Sequence, residues 1–339
     1  MTWRCYLAIF RAESPVHIGY RQIGVLKTTR YYITGRVMWG AITANLTRAL
    51  FSNPNSGDYQ AVGKFVRENI RTTYFYPAIK KSEAASENWS QYEVNNYIVF
   101  LPEYTDEGEI KFGEVLKENF EQMFISSFVS TALEAQTRTA EEGSLHEFEY
   151  VQNKINLSHK VIQVYWVGYL FVNDTVKDAE EGKVYEVNIL EESNDLKIVF
   201  KKNNIKNYAF LKKDALNLLF IGGESNYGFG KIRLETLVRS SEGTRLFGKF
   251  KFETETDGPV IEVDTAPAHL SLESIKSEEK LLGEVEPVVG LEWSDKGAGH
   301  SISTAIICIT PGSKIFRRRK YILGKYGILR SKCSNSRER

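Results

Sequence analysis

Short runs of apolar and aromatic residues, separated by polar turns, recur along the chain and predict a protein rich in β-strands. The first run, residues 3–10 (WRCYLAIF), leads into a loop that contains Pro15, Gly19 and Gly24. Residues 183–200 have the pattern of a hairpin around the polar turn EESND. Further strands are predicted over residues 30–34, over residues 145–172 and, as several strands, over residues 246–313.

Apolar residues at spacings of three and four predict helices between these strands. In residues 37–50 this spacing relates Val37, Ala41 and Leu46, among others. Residues 60–71 (QAVGKFVRENIR) form a second amphipathic pattern after the turn-rich NPNSGD. Additional helices are predicted over residues 112–128 and 211–220.

The order of these elements predicts an α+β protein with two domains. Residues 1–240 fit a ferredoxin-like (RRM-like) βαββαβ domain with a long insertion at about 77–145. Residues 241–315 are predicted to form a second β-rich domain, which we also expect to be ferredoxin-like. Residues 316–339 have little hydrophobic periodicity and are expected to form a basic tail.

The distribution of charge changes the picture that the composition suggests. The chain is 42% apolar and 26% charged, as in ordinary globular proteins, and its net charge of +1 argues against a polyanionic partner. However, residues 1–50 carry +6 and residues 316–339 carry +8, so the residues between them carry −13. Two basic ends predict contact with a polyanion, whereas the acidic middle is expected to face protein partners or solvent.

Other classes of protein are excluded by the same composition. Three scattered cysteines (Cys5, Cys308 and Cys333) form neither a disulfide framework nor a metal knuckle. The longest apolar segment, residues 161–172, is too short to span a bilayer, and no secretory signal is visible. We therefore expect a cytoplasmic protein that does not contact a membrane and that has no metal site or cofactor.

The most distinctive local feature is a glycine-rich loop with four glycines in nine residues: Gly222, Gly223, Gly228 and Gly230. Such a loop permits positive φ angles and leaves backbone amides exposed, so that it can hold a nucleic-acid backbone. It follows a predicted helix and precedes a strand, which is the reverse of a dinucleotide-binding fingerprint. The alternative is a connecting turn without a ligand.

His17 lies directly after the first strand and is the only histidine in the basic N-terminal segment. Because its pKa lies near the working pH, a histidine there can act as a general base on an RNA 2′-hydroxyl. The alternative is a structural histidine that caps the loop. No second catalytic partner is identifiable from the sequence.

Basic and aromatic residues alternate in the stretch that follows. Phosphates need cations and unstacked bases need flat side chains, so this mixture suits single-stranded RNA. Some of the aromatic residues are equally expected in the core. The residues concerned are Tyr20, Arg21, Lys27, Arg30, Tyr31, Tyr32 and Arg36.

Several of these segments together resemble the RAMP superfamily of CRISPR-associated proteins. The resemblance is scattered over residues 1–315 and depends on the order of its motifs. They are SPVHIGY (14–20), YYITGRVMWGAITANLTRAL (31–50), TALEAQTRTAEEGSLHEFEYV (131–151), GGESNYGFGKIRL (222–234) and the segment from LLGEVEP to GSKI (281–315).

The resemblance implies one or two ferredoxin-like domains that bind CRISPR RNA within a type III-like antiviral ribonucleoprotein effector complex, together with other effector subunits. The RNA-contact residues that it implies are His17, Gly19, Arg36, Gly222, Gly223, Gly228 and Gly230. The chain departs from the family pattern in Ile33-Thr34-Gly35-Arg36, where the family has Pro before Gly. It also has no Asp or Glu between Gly19 and Gly35, where family members that cut target RNA have an Asp. Because metal-assisted cleavage needs a carboxylate, we expect a non-catalytic subunit.

Two other functions stay open at this point. One is a metal-independent endoribonuclease that processes CRISPR repeat RNA with His17 as its general base. The other is a two-domain α+β scaffold protein whose glycine-rich loop is structural.

Overall fold

The computed structural model describes residues 2–84, 92–131, 145–174, 185–192, 195–202, 205–241, 243–276, 278–294 and 297–331. Most of one motif of the resemblance, residues 132–144, lies outside these described residues, as do Cys333 and the end of the predicted tail. In the described part of the chain, none of the helices combines the length and the apolar character that crossing a bilayer would require.

The first 240 residues contain all three α-helices and twenty of the strands that the structure describes. The helices are α1 (Gly35–Leu50), α2 (Ser56–Asn69) and α3 (Lys117–Phe124), and a π-helix spans Leu211–Leu216. The strands are β1 (Trp3–Ala12), β2 (Gly19–Ile23), β3 (Leu26–Thr29), β4 (Ile70–Thr72), β5 (Tyr76–Lys80), β6 (Glu93–Val94), β7 (Tyr97–Val99), β8 (Pro102–Tyr104), β9 (Ile110–Phe112), β10 (Val115–Leu116), β11 (Ile125–Ser130), β12 (His146–Val151), β13 (Lys154–Leu157), β14 (Lys160–Gln163), β15 (Tyr165–Asn173), β16 (Tyr185–Glu192), β17 (Asp195–Lys202), β18 (Ile205–Phe210), β19 (Leu218–Phe220) and β20 (Lys231–Arg239).

The rest of the described chain is formed by strands and short 3₁₀ turns. The strands are β21 (Lys251–Glu253), β22 (Val260–Thr265), β23 (Leu270–Ser271), β24 (Leu281–Leu282), β25 (Val285–Val288), β26 (Leu291–Ser294), β27 (Gly297–Ile302), β28 (Ile306–Ile309), β29 (Lys314–Leu323) and β30 (Leu329–Arg330).

A central antiparallel sheet organises the fold, with the strand order β19-β20-β1-β15-β5-β7-β6 and with β4 also paired to β15. Every residue of β15 is buried because both faces of this sheet are covered. Trp166 and Leu170 belong to the core beneath the helices, whereas Val167 and Phe171 belong to the core beneath a second sheet. Alternate side chains of β15 therefore pack into two different hydrophobic cores, one on each face of the sheet.

The second sheet has the order β21-β22-β29-β30-β23-β28-β25, with β24 paired to β29. Ile261, Val263 and Leu323 from this sheet share a hydrophobic cluster with Leu7 and Ile9 of β1. The molecule is thus layered as helices, central sheet and second sheet.

The two long helices are confirmed, and their ends have local causes. Thr34 caps α1 by accepting a hydrogen bond from the Val37 amide at 3.4 Å, and Met38, Ile42 and Leu46 form its buried stripe. Asn55 caps α2 through a capping box with Asp58, so this helix starts four residues earlier than the apolar pattern predicts.

Three local predictions are wrong in their extent. Residues 30–34 do not form a strand, because the chain turns into α1 there and only Ile33 makes an isolated bridge, to Phe75. The helix predicted over 112–128 is restricted to α3, since strands flank it on both sides. The helix predicted over 211–220 ends at Leu216, where the chain joins the central sheet as β19.

The predicted domain features also change. The segment from residue 77 belongs to the central sheet rather than to an insertion, because β5 is buried and pairs with β15. No α-helix occurs among the described residues of 243–331, so a second ferredoxin-like unit, which needs two helices, is not found there. Residues 316–323, which the charge pattern assigns to a tail, form most of β29. Its burial pattern explains the difference, since Ile315, Tyr321 and Leu323 are buried while the basic residues between them are mostly exposed.

Candidate nucleic-acid interface

A groove of about 600 Å³ lies where the loop after β1, the N-terminal half of α1 and the glycine-rich loop meet residues 287–291, which run from the end of β25 to the start of β26. The fold therefore brings together segments that are far apart in the sequence. Five predicted site residues line this groove: Gly19, Arg30, Arg36, Gly222 and Gly223. Arg30 also lines an adjoining recess of about 290 Å³, together with the predicted residues Arg21 and Tyr31.

Two glycines of the glycine-rich loop are required by contact with the protein's own chain. The Gly223 amide donates a hydrogen bond to the His17 carbonyl oxygen at 2.9 Å. Gly222 has a φ of +72°, and a Cβ atom there would lie 2.1 Å from the same oxygen. A side chain at this position would therefore separate the loop from the segment after β1.

The remaining two predicted glycines differ from each other. Gly230 donates to the Pro15 carbonyl oxygen at 2.7 Å, and a Cβ atom there would lie 2.0 Å from the Ile221 carbonyl oxygen. Gly228 has a φ of +83°, but a Cβ atom there would meet nothing within 4 Å. Close packing thus explains Gly230, whereas Gly228 is explained by backbone conformation alone.

His17 is buried, with 4% of its surface exposed, and the glycine-rich loop packs against it. Its Nδ1 lies 2.6 Å from the Glu149 carbonyl oxygen, and its ring meets Phe148 edge-on at 5.6 Å between centroids. The short contact to a carbonyl assigns the proton to Nδ1. A general base must reach the proton that it abstracts, so this environment argues for the structural alternative rather than for catalysis.

Two of the predicted phosphate-binding arginines are paired with carboxylates of β25 and β26. Arg30 binds Glu286 through two hydrogen bonds of 2.7 and 3.2 Å. Arg36 lies 3.2 Å from Glu292 and 3.8 Å from the centroid of the Tyr326 ring. Arg30 therefore joins the segment between β3 and α1 to the second sheet, and Arg36 joins α1 to β26.

The other predicted cations are more accessible. Lys27 Nζ lies 3.2 Å from a carboxylate oxygen of Glu224 in the glycine-rich loop. Arg21 is exposed, its guanidinium lies 4.6 Å from the centroid of the Tyr20 ring, and no carboxylate of the described residues forms a salt bridge with it. Arg21 is thus the predicted cation best placed to meet an external anion.

Tyr31 belongs to the core rather than to a stacking surface. Its ring contacts Phe112 and Phe120, each at 5.6 Å between centroids, and its hydroxyl donates to Glu121 at 2.5 Å. This arrangement corresponds to the alternative that some aromatic residues of the segment are structural.

An aromatic surface beside the glycine-rich loop was not predicted from the sequence. Tyr227 is 47% exposed and Phe128 is 38% exposed, with their ring centroids 5.5 Å apart. Both rings pack on the buried Phe148 of β12, at 5.9 and 5.3 Å between centroids. We call Tyr227 and Phe128 the aromatic ledge. The sequence signal for this surface is Tyr227, which lies among the glycines of the loop.

A buried polar cluster forms part of the wall between the groove and the recess. Glu286 accepts hydrogen bonds from Arg30 and from Nε2 of His269, and the Tyr74 hydroxyl lies 2.6 Å from Nδ1 of His269. His269, Tyr74 and Glu286 are each less than 5% exposed. We call these four residues the Glu286 cluster.

The pKa values within this cluster favour one charge pair and two neutral groups. Burial by itself raises the pKa of Glu286, but hydrogen bonds from His269 and Arg30 outweigh burial and lower that pKa to about 2. Burial lowers the pKa of His269 despite the neighbouring carboxylate, and it raises the pKa of Tyr74 well above its usual value. Arg30 and Glu286 are therefore charged, while neutral His269 donates to Glu286 and accepts from Tyr74.

We expect the free energy of unfolding to decrease as the pH falls from 7.5 to 5.5. The lowered pKa of His269 means that the unfolded chain binds more protons than the folded chain below pH 6.5. Urea unfolding at several pH values measures this decrease, and the His269→Gln variant should show a shallower pH dependence. Identical pH dependence in both proteins would contradict the assigned protonation state.

Comparison with known proteins finds similarity only at the level of solved structures. No protein-family model and no curated protein matches the chain. Among solved structures, it is similar to a chain of the type III-B Cmr-beta complex bound to cognate target RNA and AMPPnP, with 13% identity, coverage of 91% of this chain and 85% of that chain, and a TM-score of 0.43. A chain of Cmr-beta bound to cognate target RNA gives 12% identity, 92% and 86% coverage and a TM-score of 0.44. A chain of Cmr-beta in the apo state gives 10% identity, coverage of 70% of this chain and 98% of that chain, and a TM-score of 0.35. These identities and TM-scores do not assign the chain to a family.

Proposed function

We propose that this chain is a CRISPR RNA-binding, non-catalytic subunit of a type III-like ribonucleoprotein effector complex. The observation that carries the proposal is the convergence of three resemblance motifs on one groove. The loop after β1, the start of α1 and the glycine-rich loop are separated by up to about two hundred residues in the sequence, and all three line it.

The topology of the central sheet supports a ferredoxin-like unit. Among its strands, β20, β1, β15 and β5 are adjacent in that order and antiparallel. In a βαββαβ unit, these would be the fourth, first, third and second strands, respectively. The helices α1 and α2 lie between the first and second of these strands, and the π-helix lies between the third and fourth. The RNA-binding family that the sequence resembles has this fold.

The chemistry of the groove and its rim suits a single-stranded polyanion. The groove runs along the N-terminal half of α1, which has no acidic residue in its first turn, so the helix dipole favours an anion there. Arg21 supplies an exposed cation at the adjoining recess. The aromatic ledge offers rings on which unstacked bases can lie at the far end of the glycine-rich loop.

The non-catalytic assignment is supported by two features. The sequence between Gly19 and Gly35 contains no carboxylate, and His17 is enclosed by the glycine-rich loop and Phe148. These features do not favour the endoribonuclease alternative.

Contacts with other effector subunits are supported by an apolar surface beside the groove. Val285, Val289, Leu291 and Ile302 are each more than half exposed, and β25 is an edge strand of the second sheet. Exposed apolar patches beside an edge strand are typical of protein interfaces. Several acidic residues of the middle region form ion pairs with the basic ends of this chain. They are therefore less available than predicted for contacts with other subunits.

We expect Arg21→Gln to weaken binding of single-stranded CRISPR repeat RNA several-fold at 150 mM salt. Losing one phosphate contact should reduce the slope of log affinity against log salt by about 0.7. Fluorescence anisotropy between 50 and 200 mM salt measures both effects. Arg48→Gln, an exposed arginine in the last turn of α1, is the control with the same change of charge. Equal affinity and equal slope for the two variants would overturn the assignment of the RNA path along this groove.

A further inference from the structure

A small antiparallel sheet formed by β16, β17 and β18 lies beside the long helices. Leu196, Ile198 and Phe200 of β17 are at most 4% exposed and belong to the core beneath the helices. The Phe200 ring meets Phe51 and Phe65 at 6.3 and 5.7 Å between centroids. One face of this sheet is therefore anchored, and the opposite face is directed away from the core.

Aromatic and basic side chains alternate on the outward face. The register pairs Lys197 with Phe210, Val199 with Tyr208, and Lys201 with Lys206. Tyr208 is 58% exposed, and its ring centroid lies 6.1 Å from that of Phe210. Lys197 Nζ lies 4.5 Å from the Tyr208 centroid and 5.9 Å from the Phe210 centroid, so one cation lies against both rings.

The segment that forms this face is basic, although the middle of the chain is acidic as a whole. Residues 195–213 contain six lysines and one acidic residue, Asp195. The Asp195 carboxylate accepts hydrogen bonds from the backbone amides of Leu196, Lys212 and Lys213. Lys197 is also paired with Glu192, at 2.9 Å, whereas the side chains of Lys206, Lys212 and Lys213 are exposed.

We infer that the outward face of β17 and β18 binds single-stranded RNA at a site separate from the groove. Tyr208 and Phe210 provide rings on which successive bases stack, and the lysines at either end of them attract the phosphates. A flat sheet face that carries aromatic side chains suits unstacked bases rather than a duplex, whose bases are stacked on each other. The inference does not depend on the proposed function, because it uses none of the residues that line the groove.

The test combines binding with mapping of the contact. The full chain is titrated into a fluorescein-labelled single-stranded RNA of twelve nucleotides, with Tyr208→Ala and Lys206→Gln as variants and Lys160→Gln, an exposed lysine of β14, as the charge-matched control. A parallel sample with 4-thiouridine in the RNA is crosslinked, and the modified peptides are identified. We expect Tyr208→Ala to reduce affinity about tenfold, Lys206→Gln to lower the salt slope by about 0.7, and crosslinks to occur within residues 205–213.

The possible outcomes separate this site from the groove and from a protein interface. Loss of affinity in Tyr208→Ala with unchanged binding by Lys160→Gln supports the site, whatever Arg21→Gln does. Unchanged affinity in Tyr208→Ala together with crosslinks only outside residues 195–213 overturns it. Weakened association with another protein but unchanged RNA binding would show a protein interface and would equally overturn it.

Discussion

Replacement of Glu286 by Ala is expected to reduce the free energy of unfolding by about 3–5 kcal/mol. The carboxylate of Glu286 is buried, receives two hydrogen bonds from Arg30 and contacts His269. Its removal leaves the Arg30 guanidinium largely buried without its counter-charge, and it leaves an N–H group of His269 without an acceptor. Because these residues join the two sheets, we expect the second sheet to become more accessible. Urea unfolding monitored by tryptophan fluorescence measures the free energy, and limited proteolysis reports the exposure.

The surface pair of Lys320 and Glu253 provides the control, because both side chains are about half exposed. Glu253→Ala should cost less than about 1 kcal/mol. A double variant, Arg30→Met with Glu286→Leu, should recover part of the stability that Glu286→Ala loses, since it removes both charges together. If Glu286→Ala and Glu253→Ala have equal effects, the Glu286 cluster does not hold the two sheets together.

The second large effect is expected for Gly222→Ala, which should destabilise the protein by about 2–5 kcal/mol and displace the glycine-rich loop. An alanine there is strained at a φ of +72°, which costs about 1–2 kcal/mol, and its Cβ would lie 2.1 Å from the His17 carbonyl oxygen. Relief of that contact requires the backbone to move, at a further cost of about 1–3 kcal/mol. Since Gly222 lines the groove, RNA affinity should fall as well. Thermal unfolding and the anisotropy titration measure the two effects.

Gly228→Ala is the matched control because its φ of +83° is similar while the space around it is open. It should lose only the conformational part of the stability, about 1–2 kcal/mol, and it should leave RNA affinity within twofold of the original. Equal destabilisation by the two substitutions would show that the contact with His17 is not what requires glycine at position 222.

The secondary structure of the central sheet was largely readable from the sequence, because local patterns determine it. The strand at Trp3–Ala12 and the helix at Gly35–Leu50 follow the apolar spacing closely. The apolar run that ends at Val172 was recognised as a strand, but its burial on both faces depends on the second sheet. The sequence predicts a helix where β19 forms and a tail where most of β29 forms. In both places, pairing with distant strands determines the structure instead of the local sequence pattern.

The candidate site was predicted in part. The sequence predicts site residues in three separate segments, and the fold brings Gly19, Arg36 and Gly222 to one groove. The roles of individual residues were less predictable, because they depend on partners far along the chain. His17 is buried and contacts the Glu149 carbonyl oxygen, and the Tyr31 hydroxyl is bonded to Glu121.

The charge pattern shows this division most clearly. The sequence alone shows that two basic ends flank an acidic middle. Which charges neutralise each other depends on the folded structure, because Arg30 and Glu286 are 256 residues apart in the sequence, and so are Arg36 and Glu292. The fold also leaves Arg21 and Lys206 exposed, although Lys206 lies within the acidic region. The physical reason is that Coulomb attraction and desolvation act over a few ångströms in space, and separation along the chain does not report that distance.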